Sequence, residues 1–138
     1  MRLMKTTPPR PATYDRTIPV GRLRGEWGEV LAHSCNDTLT SDKHQLISRT
    51  GNPQAMVVST GWYREARRAI GGPDAEVTGS EEARKELARI LTEIAEHGRH
   101  FVIKADRYEV VVLVPISWHQ RALETLSPEG EGSAEGEG

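Results

Sequence analysis

The chain of 138 residues reads as an α/β fold of the α+β kind, made of two tandem copies of one small unit. Two observations predict this. The stretch 21–62 and the stretch 80–118 share a layout. Leu23-Arg24, Trp27 and Val30-Leu31 superpose on Ala83-Arg84, Leu87 and Ile90-Leu91 at an offset of 60, and Met56-Val57-Val58 and Trp62 superpose on Val112-Leu113-Val114 and Trp118 at an offset of 56. The first copy therefore carries four extra residues in its central loop, within 34–45. Second, each copy offers too few large apolar residues to bury a core of its own, so the copies should pack as a pseudo-twofold pair around a joined, antiparallel-type sheet.

The elements follow in order. Residues 1–16 hold Pro8, Pro9 and Pro11 with Arg2, Lys5, Arg10 and Arg16 and no periodicity, which predicts a disordered basic arm. Thr17-Ile18-Pro19-Val20 alternates apolar positions, and its proline suits an edge strand. Leu23, Trp27, Val30 and Leu31 share one helical face, although Gly25 and Gly28 weaken that helix by about 1 kcal/mol each. Asn36-Asp37-Thr38 and Ser41-Asp42-Lys43 form a polar loop. Leu46–Arg49 and Gln54–Ser59 pair as a hairpin across Thr50-Gly51-Asn52-Pro53, and Trp62–Ile70 is a helix stopped by Gly71-Gly72-Pro73.

The first unit thus spans 17–72 and the second 75–127. The second opens on a helix with Ser80 as N-cap, Glu81 and Glu82 in the first turn, and Ala83, Leu87, Ile90, Leu91 and Ile94 on its apolar face. Gly98 ends it. Phe101-Val102-Ile103 and Val110–Val114 pair across Ala105–Tyr108, and Ser117–Leu126 closes the unit. Val110–Val114 has no polar alternation, which predicts a strand buried on both faces. From Pro128 the chain repeats Glu and Gly with no large apolar anchor, a disordered acidic tail.

Composition narrows the class. With 36% hydrophobic and 28% charged residues the chain matches a globular protein with polar ends. Apolar runs stay far below the roughly 20 residues that cross a bilayer, and no signal-peptide core opens the chain, so a cytoplasmic protein with no membrane partner is expected. The lone Cys35 agrees with a reducing compartment. The net charge of −2 conceals an asymmetry: residues 1–72 hold 11 Lys/Arg against 6 Asp/Glu, residues 73–138 hold 7 against 14. A basic N-terminal half favours a polyanion such as DNA, through release of counterions.

These residues resemble the Phd/YefM antitoxins. Ile18–Leu31 is similar to the family's opening strand and Ser-Glu-Ala-Arg helix start. Leu46-Ile47-Ser48-Arg49-Thr50-Gly51-Asn52-Pro53 with Ala55-Met56-Val57-Val58 resembles its Ile-Thr-Arg strand, Gly-x-Pro turn and apolar strand. Ser80-Glu81-Glu82-Ala83-Arg84 and Val112–Trp118 repeat the pattern, so the resemblance covers 18–126. It implies a small α/β unit that dimerises through a sheet and binds operator DNA as a repressor, with a toxin as second partner and further association of pseudo-dimers.

The family's DNA-facing arginines fall on Arg24 and Arg49 in the first copy and on Arg84 in the second. Ala105 takes the other place in copy two, and neighbouring Lys104 should point to the opposite face. Arg22, Arg10 and Arg16 complete the DNA-binding set by charge. The chain departs from the pattern where Gly21-Arg22-Leu23 replaces Ser-Glu-Ala, and in its tail, which lacks the apolar segment with which family members cover a toxin.

No catalytic residue, cofactor or metal is expected. His33, Cys35 and His44 with His97 or His100 match no compact zinc spacing and read as polar loop residues. Glu81, Glu82 and Glu86 read as a solvated helix face, and Trp62 and Trp118 as core anchors. Arg64, Arg67 and Arg68 suit phosphate contact and an exposed helix face equally. The alternatives are a regulator without a toxin, an interaction module that holds a basic partner through the acidic second copy, and, ranked last, a small enzyme using the histidines.

Overall fold

A computed structural model describes residues 16–35 and 44–126; the arm apart from Arg16, the polar loop at 36–43 and the tail from 127 lie outside the described residues. Strand β1 (Arg16–Pro19) leads into α1 (Val20–Leu23) and α2 (Trp27–Ser34). The hairpin β2 (Gln45–Arg49) and β3 (Asn52–Ser59) follows, then α3 (Thr60–Ile70). The order then recurs as β4 (Glu76–Gly79), α4 (Ser80–Lys85), α5 (Leu87–His97), β5 (Phe101–Ala105), β6 (Tyr108–Val114) and α6 (Ile116–Leu126).

All six strands form one sheet in the order β1-β2-β3-β6-β5-β4. Strand β1 runs parallel to β2, which is antiparallel to β3; β4 runs parallel to β5, which is antiparallel to β6. The centre joins β3 to β6 antiparallel, with Val57 opposite Leu113. The sheet is thus mixed, not antiparallel throughout. Each edge strand reaches its neighbour through two helices, a connection long enough to bring the chain back in the same direction.

Two apolar layers cover the sheet. Leu23, Trp27, Val30, Ala83, Leu87, Ile90, Leu91 and Ile94 pack from α1, α2, α4 and α5 against Ile47, Val57, Ile103 and Leu113. On the opposite face Trp62, Tyr63 and Ala66 of α3 and Trp118 and Ala122 of α6 pack against Met56, Val58, Val112 and Val114. Each layer draws on residues from both halves. The alternation along β6, with Val111 and Leu113 in one layer and Val112 and Val114 in the other, is the burial on both faces expected of that apolar run.

The hairpins and stops lie where turn chemistry puts them. Thr50 and Gly51 take φ of 47° and 85°, a two-residue turn shorter than the four-residue one expected, so β3 already begins at Asn52. Gly98 sits at φ 69° and its N–H and that of Arg99 cap the carbonyls of Ile94 and Glu93. Ser59 caps α3 by accepting from the Trp62 N–H.

Three expectations are corrected. Gly79, not Ser80, occupies the cap position of α4, because β4 runs on to Gly79 and Ser80 is already helical. Strand β4 itself has no counterpart among the predicted elements. The two first helices are each broken, at Arg24–Glu26 and at Glu86, where Glu26 and Glu86 adopt matching non-helical φ of −107° and −113°.

Candidate nucleic-acid interface

The helix breaks position the first candidate residues. Gly25 sits in the first break, and the carbonyls of Arg24 and Arg84 turn toward the opposite half instead of only into their own helices. Arg24 Nε donates to the Arg84 carbonyl at 3.2 Å, and Arg84 Nε donates to the Arg24 carbonyl at 3.1 Å. Both side chains are exposed. Beside them Trp27 Nε1 donates to the Ser80 carbonyl at 3.0 Å. Arg24, Gly25, Trp27, Gly28, Ser80, Glu81 and Arg84 line an open cleft of about 190 Å³, and Glu81 is the one carboxylate among these lining residues.

The other predicted residues are spread more widely. Arg22 is exposed on α1 and pairs with Glu26, Nη2 to Oε2 at 2.6 Å, so part of its charge is answered within its own turn. Arg49 is exposed at the end of β2, one residue past the Ser48–Pro19 pair at which β1 turns into α1. Arg16 is held inward: its Nε donates to Gln45 Oε1 at 2.8 Å. Gln45 is fully buried and donates in turn to the Val30 carbonyl and Ser34 Oγ. Arg10 lies outside the described residues. In the second half Lys104 and Ala105 follow a register shift between Ile103 and Lys104 and line one open cleft with Gly79, Ser80, Glu81, Glu82 and Asp106, three of them acidic.

The arginines of α3 divide. Arg67 Nη1 donates to Tyr63 Oη at 3.2 Å and to the Pro73 carbonyl, and its guanidinium lies 5.7 Å from the Tyr63 ring centre; Arg68 pairs with Glu65. Arg67 therefore pins the connection between the halves. Trp62 and Trp118 are buried core anchors, as expected, and Trp118 Nε1 donates to the Gly71 carbonyl at 2.9 Å.

Two of the residues read as polar loop, His44 and His100, depart from that reading, and His119 joins them. His44, His100 and His119 are all fully buried in the layer under α3 and α6. His44 Nδ1 lies 2.9 Å from His119 Nε2, and His100 Nδ1 lies 2.7 Å from Tyr63 Oη. Burial holds the three rings neutral: His44 is lowered to about 3, also by His119, while His100 and His119 are lowered to about 4, His100 also by Arg67 and Arg121. Their only sequence signal was the offset of 56 that relates His44 to His100 and Tyr63 to His119. Among the described residues no group of three His, Cys, Asp or Glu side chains could hold a metal ion, and no helix is long and apolar enough to cross a membrane. No family model matches the chain, and no curated protein or solved structure matches it either.

Proposed function

We propose that the chain is a Phd/YefM-like, non-catalytic DNA-binding repressor of the cytoplasm, in which two tandem units act as a covalent pseudo-dimer on operator DNA. The observation that carries this reading is the reciprocal bond between Arg24 and Arg84. A contact in which residue i reaches j while j reaches i is the signature of a twofold interface. It presents two exposed guanidinium groups in equivalent positions, which suits a target that is itself a near-palindrome. The repeated strand pairing supports the same arrangement.

Arg24 and Arg84 would serve both half-sites, Arg49 only one, because Ala105 stands at its equivalent place. Binding is then lopsided. The test is a mobility-shift titration on DNA from upstream of the chain's own coding sequence at two salt concentrations, with Arg24→Ala, Arg49→Ala and Arg84→Ala beside the parent. A sequence-specific shift weakened by all three, with Arg49→Ala relaxing one half-site, supports the reading; the absence of any specific shift refutes it.

A second reading rests on charge. Glu81, Glu82, Glu86 and Asp106 are all exposed on the second half, so an interaction module for a basic protein, a toxin included, is the alternative that a failed DNA titration would favour.

A further inference from the structure

The three buried histidines lie where the halves of the chain meet, and DNA binding calls for no titratable group there. His44, just before β2, bonds His119 of α6, and His100, just before β5, bonds Tyr63 of α3. Each bond ties a residue of the first half to one of the second, at equivalent positions. The tryptophans pack around them: Trp62 lies 4.7 Å from His44 and 5.2 Å from His119, and Trp118 lies 4.7 Å from His100 and 5.4 Å from Tyr63. The connection between the halves closes over this cluster, since a Cβ on Gly72 would stand 3.0 Å from Trp118 Nε1 and 3.4 Å from His100 Cε1.

In both His44 and His100, Nδ1 makes the hydrogen bond and Nε2 is buried with no hydrogen-bond partner among the described residues. A neutral imidazole leaves one nitrogen a bare acceptor there. An imidazolium carries N–H on both nitrogens, so charging either ring creates a buried donor with nothing to receive it. The charges that act on the rings make matters worse. His44 and His119 face each other, and Arg67 of α3 and Arg121 of α6 act on His100; among the described residues no carboxylate offsets them.

We propose that the junction between the two halves is an acid-sensitive joint, which protonation of His44, His100 and His119 opens on the α3/α6 side of the sheet. Opening lets water reach the orphaned nitrogens and separates the two cations of the His44–His119 pair. Among the described residues the opposite layer, under α1, α2, α4 and α5, has no buried histidine: His33 of α2 is half-buried and His97 of α5 is exposed.

The sign follows from burial. Each ring has its ordinary value of 6.5 once exposed and lies at about 3 or 4 when enclosed. The closed joint therefore has its full stability above 6.5 and loses it as pH falls toward those lower values, by about tenfold in population per pH unit for each histidine.

The test uses the full chain with Trp27→Phe, which leaves Trp62 and Trp118 as reporters, followed by tryptophan emission and far-UV circular dichroism from about pH 8 to about pH 4. The expected result is an emission change below 6.5 with most of the helix and strand signal retained. His119→Tyr copies the Tyr63–His100 pairing and removes one titrating ring, so it should move the midpoint to lower pH and make the transition shallower. Nuclear magnetic resonance of the histidine rings in the unmodified chain gives a reading that does not depend on any variant folding. Rings that titrate near 6.5 while the tryptophan signals stay unchanged would overturn the joint. An unchanged midpoint in His119→Tyr would do so too, and so would loss of circular dichroism in step with the emission, which means whole-chain unfolding.

Discussion

Arg24 and Arg84 hold each other's backbone: the guanidinium of each donates to the carbonyl of the other, at 3.2 and 3.1 Å, across 60 residues of sequence. The bond places two cations side by side at the surface. Two like charges near one another are unfavourable on their own, and a polyanion laid across them would relieve the repulsion.

Replacing either arginine by alanine should therefore weaken binding to a specific operator by about 1–3 kcal/mol if the side chain reads a base edge. Because the two side chains are neighbours in one network, the double variant should lose less than the sum of the single losses. Strictly additive losses in a titration of all three variants would mean that the two arginines act independently.

Expressed alone, residues 1–72 and 73–138 should each fail to fold cooperatively. Both apolar layers mix residues of the two halves, and separation exposes the β3 and β6 edges along the Met56–Ser59 and Val111–Val114 pairing. Denaturant unfolding followed by circular dichroism checks this, and a half with near full-length stability would refute the shared core.

Gly72→Ala should destabilise the chain by about 1–3 kcal/mol, since φ is 150° and the new Cβ would stand 3.0 Å from Trp118 Nε1. Gly28→Ala should have the opposite sign. Nothing lies within 4 Å of a Cβ there, and alanine in α2 should stabilise by up to about 1 kcal/mol. Paired urea titrations decide both.

Gln45→Leu should cost about 1–3 kcal/mol, because it leaves Ser34 Oγ, the Val30 carbonyl and Arg16 Nε without the buried amide that joins them. If Arg16 serves stability in this way, Arg16→Ala should also lower the thermal midpoint without DNA present. A midpoint unchanged in both variants would show that Arg16 does not serve the fold.

Local signals were legible in the sequence because they act within a few residues. The edge position of Ile18-Pro19, the stops at Gly71-Gly72 and Gly98, the hairpin around Thr50-Gly51 and the double burial of Val111–Val114 all follow from backbone freedom and apolar patterning. So did the repeat, and with it Arg24 and Arg84 as equivalent positions. Only the tertiary structure decided that these two arginines meet, that Arg16 faces inward onto Gln45, and that Glu76–Gly79 is a strand at all, since Val77 is 56% exposed and the segment exists through its pairing with β5. The buried histidines were the least legible: a polar residue beside a strand reads as loop until a partner 75 positions away, His119, encloses it, and burial depends on which elements pack together, not on neighbours along the chain.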